Sequence, residues 1–180
     1  MCNCVGFGPI FLTGFMGCGK TTIGKLAAEQ LGLQFFDLDC EIERRTRQSI
    51  AGLFEQGESY FREHEHRVLF ELLGEIPYQP CLIALGGGTS VQPGNEPLIR
   101  PERLIFLDVP FPVIEGRLAI CTDRPLAHNV AELKRLHEER APLYSRAKTI
   151  LALSDKDDQM QAARKLIACV HELLKSANEG

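Results

Sequence analysis

The chain has 180 residues, of which 44% are hydrophobic and 24% are charged, a balance that is ordinary for a folded domain. A formal net charge of -4 argues against a protein that binds nucleic acid or a membrane surface by electrostatic attraction. No apolar run reaches the roughly 18 residues of a membrane span, and the N-terminus lacks the basic and apolar regions of a signal peptide. We therefore expect a single cytoplasmic domain over residues 1–180, without a nucleic-acid or membrane partner.

The segment Gly14–Thr21 matches the phosphate-binding pattern G-x-x-x-x-G-K-[ST], called the P-loop. A strand is predicted before it over Ile10–Thr13, and apolar residues at helical spacing from 23 to 31 predict a helix after it. Glycines let backbone N–H groups turn inward around a phosphate, and the helix N-terminus adds donors. We expect Lys20 to reach the β- and γ-phosphates and the Thr21 hydroxyl to bind Mg²⁺. The expected ATP contacts of this loop are Gly17, Cys18, Gly19, Lys20, Thr21 and Thr22.

Acidic residues end the next predicted strand. Residues 34–39 indicate a short buried strand with acids at alternate positions, Asp37 and Asp39. Three helices are predicted to follow, over residues 40–47, 49–56 and 59–74. Ser49 is the expected N-cap of the second of them.

A continuous apolar run over residues 81–85 predicts a strand buried on both faces, and Gly86-Gly87-Gly88 follows it directly. Ligands bind at the carboxyl ends of such strands, so these glycines are expected at the site. A surface loop, a strand and a helix are predicted next, over residues 92–97, 103–109 and 112–118. Residues 119–129 have few apolar anchors and contain Arg124, which is typical of a mobile lid.

The last part of the chain predicts a helix over residues 130–140 that Pro142 must end or kink, a strand over 149–153 and a helix over 159–175. Five strands alternating with helices predict a mostly parallel sheet with right-handed crossovers. The predicted fold class is therefore α/β, a three-layer α/β/α P-loop fold with a five-stranded parallel sheet, flanking helices and a mobile lid. Its core is expected over residues 10–38, 80–118 and 147–180.

A P-loop occurs in GTPases, motor ATPases and small-molecule kinases, so other features must decide between them. The chain has no [NT]KxD tetrapeptide that would read guanine, and no predicted strand ends in the DxxG of GTPases. Its short length, acidic balance and arginine-bearing lid favour a kinase that acts on a small acceptor.

Several blocks of this sequence resemble the shikimate kinase family, and they occur in the family's order between residues 10 and 146. The blocks are Gly14–Gly24, Phe36–Asp39, Ile42-Glu43, Ser49-Ile50, Phe61-Arg62 with Glu65, Leu85–Gly88, Arg124–Leu126 and Arg140–Tyr144. The resemblance implies ATP-dependent phosphorylation of the shikimate 3-hydroxyl in aromatic amino-acid biosynthesis, which gives shikimate 3-phosphate and ADP. It also implies a nucleoside-monophosphate-kinase-like fold and Mg²⁺ as the cofactor.

The resemblance also implies roles for particular residues. Arg62 and Arg140 would hold the substrate carboxylate, because each offers a planar guanidinium fork. Asp39 would orient or deprotonate the attacking hydroxyl, and Asp37 would hold Mg²⁺ together with Thr21. The implied substrate contacts are Asp39, Arg62, Glu65, Gly86, Gly87, Gly88 and Arg140, with the acceptor-binding helices at about 39–74. The implied catalytic residues are Lys20, Asp39 and Arg124, of which Arg124 would also contact ATP.

Plainer interpretations of these residues stay open at this point. Arg62 and Glu65 suit an exposed helix ion pair, and Asp39 suits the N-cap of the next helix. The functional alternatives are a kinase that acts on gluconate or a related acid, a nucleoside monophosphate kinase, and a non-catalytic, nucleotide-gated binding module. The segment 154–158 differs from the family's usual adenine contacts, which leaves the base preference open. We expect a monomer that binds ATP and shikimate.

Overall fold

A five-stranded parallel sheet forms the centre of the computed structural model, which describes residues 8–76, 78–120 and 130–178. The strand order is β2-β3-β1-β4-β5, and every neighbouring pair is parallel. The strands are β1 (Pro9–Thr13), β2 (Gln34–Asp37), β3 (Cys81–Ala84), β4 (Leu104–Asp108) and β5 (Thr149–Ala152). This sheet confirms the predicted fold class.

Helices flank the sheet and join its strands. They are α1 (Lys20–Leu31), α2 (Leu38–Thr46), α3 (Ile50–Glu55), α4 (Glu58–Glu75), α5 (Phe111–Ile120), α6 (Val130–Tyr144) and α7 (Gln159–Asn178). Helix α1 packs on α7, while α2 and α3 pack against α4. None of the helices in the described part of the chain combines the length and apolar character that crossing a membrane requires.

The register of the central strands brings the segments that are predicted to form the site together at the carboxyl ends of the strands. β1 and β3 are buried along their whole length, which explains their continuous apolar runs. Leu12 and Asp37 both stand opposite Ala84, so β1, β2 and β3 end at the same level. The P-loop, the acid that ends β2 and the glycines after β3 therefore leave the sheet side by side.

The structure corrects the prediction for residues 34–39. The strand ends at Asp37, and its residues are partly or fully exposed because β2 lies at an edge of the sheet. Asp37 is the N-cap of α2, where its Oδ1 accepts hydrogen bonds from the backbone N–H groups of Asp39, at 3.0 Å, and Cys40, at 3.3 Å. The cap interpretation of Asp39 is therefore wrong, and Asp39 lies in the first turn of α2 instead.

Two further segments differ from the sequence-based expectation. α6 continues through Pro142 to Tyr144, and the turn after the proline is held by a bond from the Ser145 N–H to the Ala141 carbonyl, at 3.2 Å. Residues 92–97 lie mostly at the surface as expected, but Pro93–Asn95 form a 3₁₀ turn in which Asn95 is only 2% exposed. The cap predicted at Ser49 is present, because its hydroxyl accepts from the Gly52 N–H at 3.1 Å.

Candidate active site

The P-loop adopts a conformation that depends on glycine. Gly14, Gly17 and Gly19 have φ angles of 142°, 78° and 103°, a region that other residues rarely adopt. A Cβ at Gly14 would also lie 2.8 Å from the Leu107 carbonyl oxygen. Gly19 is the N-cap of α1 and has no side chain to cover the first N–H groups of the helix. This helix N-terminus therefore presents its donors to an anion.

Lys20 bends back over this loop and is 9% exposed. Its Nζ donates to the carbonyl oxygens of Gly14, at 2.8 Å, and Phe15, at 3.0 Å. The Cys18 thiol lies 3.7 Å from the same nitrogen and is fully buried. The ammonium group is thus held within the P-loop, beside the donors at the start of α1.

Thr21 and Asp37 form the candidate metal site. The Thr21 hydroxyl donates to Asp37 Oδ2 at 2.5 Å, while the other carboxylate oxygen caps α2. An alcohol oxygen beside a carboxylate oxygen suits Mg²⁺, which is usually held by one or two protein groups together with phosphates and water. Within the described residues there is no cluster of three or more His, Cys, Asp or Glu side chains that could hold a metal by themselves. The donor set therefore fits an ion that is shared with a nucleotide.

Arg62 and Glu65 form a pair on α4 that is mostly buried. Arg62 Nη1 lies 2.9 Å from Glu65 Oε2, and the side chain of Glu65 is only 1% exposed. The interpretation of this pair as an exposed surface ion pair is therefore wrong. Arg62 also contacts Glu58 at 3.1 Å, a residue whose side chain is 64% exposed.

Two aromatic rings support Arg62, and the sequence analysis gave neither of them a role. Phe54 and Phe61 stack with ring centroids 4.3 Å apart, and the Arg62 guanidinium carbon lies 5.0 Å from the Phe61 centroid. A guanidinium group is attracted to such ring faces. The seven-residue spacing of the two phenylalanines spans the junction of α3 and α4, so only the fold shows that they meet.

The glycines after β3 lie where several functional side chains converge. A Cβ at Gly86 would lie 3.1 Å from both Asp39 Oδ1 and Glu65 Oε1, and a Cβ at Gly88 would lie 2.6 Å from Arg62 Nη2. The two carboxylates and the guanidinium group therefore share one backbone segment, which we call the glycine strip (Gly86–Gly88). A side chain on either glycine would displace them.

Arg140 and Tyr144 approach the glycine strip from α6. Both donate to the Gly87 carbonyl oxygen, Arg140 through Nη1 at 3.1 Å and Tyr144 through its hydroxyl. Tyr144 is 1% exposed, and burial raises its pKa to about 12, so the phenol remains a donor near neutral pH. The sequence analysis assigned no role to Tyr144, although its spacing of four residues from Arg140 places both on one helix face.

Arg117, on α5, is another residue to which the sequence analysis assigned no role. Its Nη1 donates to the carbonyl oxygens of Cys18, at 3.0 Å, and Gly17, at 3.3 Å. The catalytic prediction for Arg124, and most of the lid predicted over residues 119–129, lie outside the described residues.

One cavity of about 470 Å³ extends from the P-loop residues to the glycine strip. Its lining includes Lys20 and Thr21 from the P-loop side, Asp37 from the end of β2, Asp39 from the first turn of α2, and Gly86-Gly87 from the glycine strip. Arg62, Glu65 and Arg140 reach the strip from outside this lining. The arrangement can hold a phosphate chain at the P-loop and present a hydroxyl-bearing acid opposite it.

Comparisons with known proteins agree with this arrangement. The family model described as Shikimate kinase matches residues 16–171. A shikimate kinase from Nostoc sp. is 35% identical over 170 residues, which is 92% of each chain. The crystal structure of shikimate kinase from Bacteroides thetaiotaomicron aligns with a TM-score of 0.78 and 33% identity, over 93% of this chain and 98% of the other.

A shikimate kinase from Acinetobacter baumannii, solved in complex with shikimate, aligns with a TM-score of 0.77 at 33% identity over 94% of each chain. The match of the family model over most of the sequence agrees with the P-loop, the acid pair and the glycine strip described above. This chain therefore belongs to the shikimate kinase family.

Proposed function

We propose that this protein transfers the γ-phosphoryl group of ATP to the 3-hydroxyl of shikimate and releases shikimate 3-phosphate and ADP, within chorismate biosynthesis. The observation that carries the proposal is the convergence of Asp39, Glu65 and Arg62 on the glycine strip, beside the cavity that the P-loop lines. An acceptor that carries a carboxylate and several hydroxyls matches these charges. The solved complex of the Acinetobacter baumannii relative with shikimate supports the same acceptor.

On the nucleotide side, the P-loop N–H groups and the start of α1 bind the phosphates. Lys20 exchanges the carbonyl oxygens of Gly14 and Phe15 for β- and γ-phosphate oxygens, where its charge stabilises the charge that develops during transfer. Thr21 and Asp37 would hold Mg²⁺, which would neutralise phosphate charge when bound. Arg124 adds a further cation at the phosphates, as the family resemblance implies.

On the acceptor side, Arg62 and Arg140 bind the carboxylate of shikimate. Arg62 is held by Glu65 and by the Phe61 ring, and Arg140 is held by the Gly87 carbonyl, so both guanidinium groups are oriented before the acceptor arrives. Asp39 accepts a hydrogen bond from the reacting hydroxyl and orients or deprotonates it. Glu65 and the backbone of the glycine strip complete the contacts to the remaining hydroxyls.

A second, shallower cavity of about 590 Å³ adjoins the first at Arg117, and its other lining residues are Pro110, Pro112, Val113, Gly116 and Asp155. Its largely apolar wall suits the flat face of a purine, so we propose that the base of ATP binds there. We also propose that the protein works as a monomer in the cytoplasm, where ATP is produced, and sedimentation of the purified chain tests the monomer.

A coupled ADP-release assay with shikimate, gluconate and AMP as acceptors tests the proposed reaction. We expect turnover with shikimate, dependent on Mg²⁺, and a product whose phosphate is assigned to the 3-oxygen by NMR. Turnover with gluconate and not with shikimate would favour another small acid in the same site. The absence of ADP release with any of the three acceptors would favour the non-catalytic binding module instead.

A further inference from the structure

Thr89 is a fully buried residue that the proposed reaction does not yet use. It directly follows the glycine strip and begins a 3₁₀ turn over Thr89–Val91. Its hydroxyl donates a hydrogen bond of 2.6 Å to Glu65 Oε1. The contact joins this 3₁₀ turn to the middle of α4, 24 residues apart in sequence.

This hydrogen bond completes the environment of the Glu65 carboxylate. Thr89, in the 3₁₀ turn, donates to Oε1, and Arg62, on α4, donates to Oε2 at 2.9 Å. Each carboxylate oxygen therefore has its own donor, and the two donors lie on different elements. A carboxylate held at both oxygens cannot rotate without losing a bond, and burial makes an unpaired oxygen costly. The direction in which Glu65 holds Arg62 therefore depends on the Thr89 hydroxyl.

Thr89 is itself held in place by its backbone. Its N–H donates to the Gly86 carbonyl at 3.2 Å, and its own carbonyl accepts from Asn95 Nδ2 at 3.0 Å. Asn95 is 2% exposed, and its Oδ1 lies 2.8 Å from Nδ1 of His66, the residue after Glu65 on α4. Contacts to two residues of α4 therefore fix the position of the Thr89 hydroxyl: a direct one to Glu65, and one through Asn95 to His66.

We propose that Thr89 is a positioning residue for the acceptor: its hydroxyl orients Glu65, and Glu65 in turn orients the Arg62 guanidinium toward the acceptor carboxylate. This inference rests on the proposed role of Arg62 at the acceptor. It differs from a purely structural role, which would lower stability without separating the two substrates. Thr89 touches Glu65 and the glycine strip, so its loss should affect acceptor binding and leave the nucleotide unaffected.

The test compares Thr89→Val, which keeps the shape of the side chain and removes the donor, with Thr89→Ser, which keeps the donor. For Thr89→Val we expect the KM for shikimate to rise at least fivefold, with the KM for ATP and kcat within twofold of the native enzyme. Thr89→Ser should stay within twofold in all three constants. Thr46→Val is the matched control, because Thr46 donates to the Ile42 carbonyl within α2, away from the glycine strip.

A double-mutant cycle with Glu65→Gln identifies the route of the effect. If Thr89 acts through Glu65, Thr89→Val adds less than twofold to the KM for shikimate once Glu65 is replaced. If Thr89→Val does not fold, Thr89→Cys replaces it with the same thresholds, because a thiol is a weak donor.

Three results would overturn the inference: an unchanged KM for shikimate in Thr89→Val, equal losses in Thr89→Ser and Thr89→Val, or an equal rise in the KM for ATP. Failure of the proposed function is seen separately, in the native enzyme. A native enzyme that ignores shikimate and phosphorylates gluconate overturns the shikimate assignment, and the Thr89 variants are then judged on the KM for gluconate.

Discussion

Asp39 is the residue whose chemistry is best separated from nucleotide binding. Its Oδ1 lies beside Gly86, and α2 is capped by Asp37 rather than by Asp39. Asp39→Asn keeps the side-chain shape and removes the charge that we propose orients the acceptor hydroxyl, so we expect kcat to fall by roughly a hundredfold or more. Binding of ATP, measured by calorimetry, should change by less than about threefold. An equal loss of ATP affinity would make Asp39 a metal or fold residue.

The two arginines at the glycine strip offer a second test at the level of single residues. A lysine carries the same charge as an arginine but cannot form a planar fork with a carboxylate. We expect Arg62→Lys and Arg140→Lys each to raise the KM for shikimate at least about tenfold, which corresponds to ~1.4 kcal/mol. The KM for ATP should change little.

Arg135→Lys is the control for these two variants, because Arg135 lies on α6 with Arg140 but pairs with Glu139 at the surface. It should behave as the native enzyme in both constants. A rise in the KM for ATP, with the KM for shikimate unchanged, would place Arg62 and Arg140 at the nucleotide and leave the acceptor site unassigned.

At the scale of elements, Asp37 connects the end of β2 to the start of α2. One oxygen caps the helix and the other meets the Thr21 hydroxyl, so charge and capping can be separated by two substitutions. Asn is as good an N-cap as Asp, whereas Ala is not. We expect Asp37→Ala to lower the free energy of unfolding by about 1 kcal/mol more than Asp37→Asn in urea denaturation. Both variants should need more Mg²⁺ for half-maximal activity.

Ser49→Ala is the control for the cap alone, since Ser49 caps α3 far from the P-loop. It should lower the free energy of unfolding by a similar amount and leave the Mg²⁺ requirement unchanged. Equal stabilities of Asp37→Ala and Asp37→Asn would mean that the cap contributes nothing, and an unchanged Mg²⁺ requirement would remove Asp37 from the metal site.

Helix α6 carries a prediction about pH. Burial raises the pKa of Tyr144 to about 12, above the value near 10 of an unfolded tyrosine. Because the folded pKa is raised, the buried neutral phenol contributes to the free energy of unfolding. This contribution is complete below about pH 10 and is lost as the pH rises through about 12. We expect Tyr144→Phe to have a flatter free energy of unfolding between these values than the native protein. Parallel curves would contradict it, and exposed Tyr78→Phe serves as the control.

At the scale of the whole molecule, one cavity is lined by residues that we assign to the nucleotide and by residues that we assign to the acceptor. Each ligand should therefore stabilise the entire fold. A ligand at a hundred times its Kd adds about 2.7 kcal/mol, which for a chain of this size raises Tm by roughly 5–10 °C. We expect such a rise with shikimate, and with a non-hydrolysable ATP analogue plus Mg²⁺. Lys20→Ala should reduce the nucleotide shift alone. A variant that loses both shifts equally would mean that Lys20 supports the fold.

The sequence predicted the parts of this molecule that depend on neighbouring residues. The P-loop, the buried strand β3 and the cap at Ser49 are all local patterns, and the structure contains each of them. It did not predict contacts that form only when the sheet is assembled. Tyr144 reaches Gly87 across 57 residues, and Thr89 reaches Glu65 across 24.

The errors in element boundaries have the same origin. β2 was expected to be buried because two phenylalanines precede its acids, but its exposure is decided by its place at the edge of the sheet. The α6 helix was expected to end near Pro142, yet α6 packs against the turn that follows the glycine strip, and the helix continues to Tyr144. Tertiary contacts outweighed the local preference in both cases.

The central position of β1 also has a consequence for folding during synthesis on the ribosome. β1 is complete at Thr13, but its two partners, β3 and β4, begin only at Cys81 and Leu104. At synthesis rates of roughly 5–20 residues per second, the wait from β1 to β4 lasts roughly 5–20 s. For most of that time the apolar strand that carries the P-loop lacks both of its neighbours, and until β4 is made it lacks one of them. Nascent chains halted before residue 104 should therefore be held by chaperones, and complete chains released from the ribosome should not.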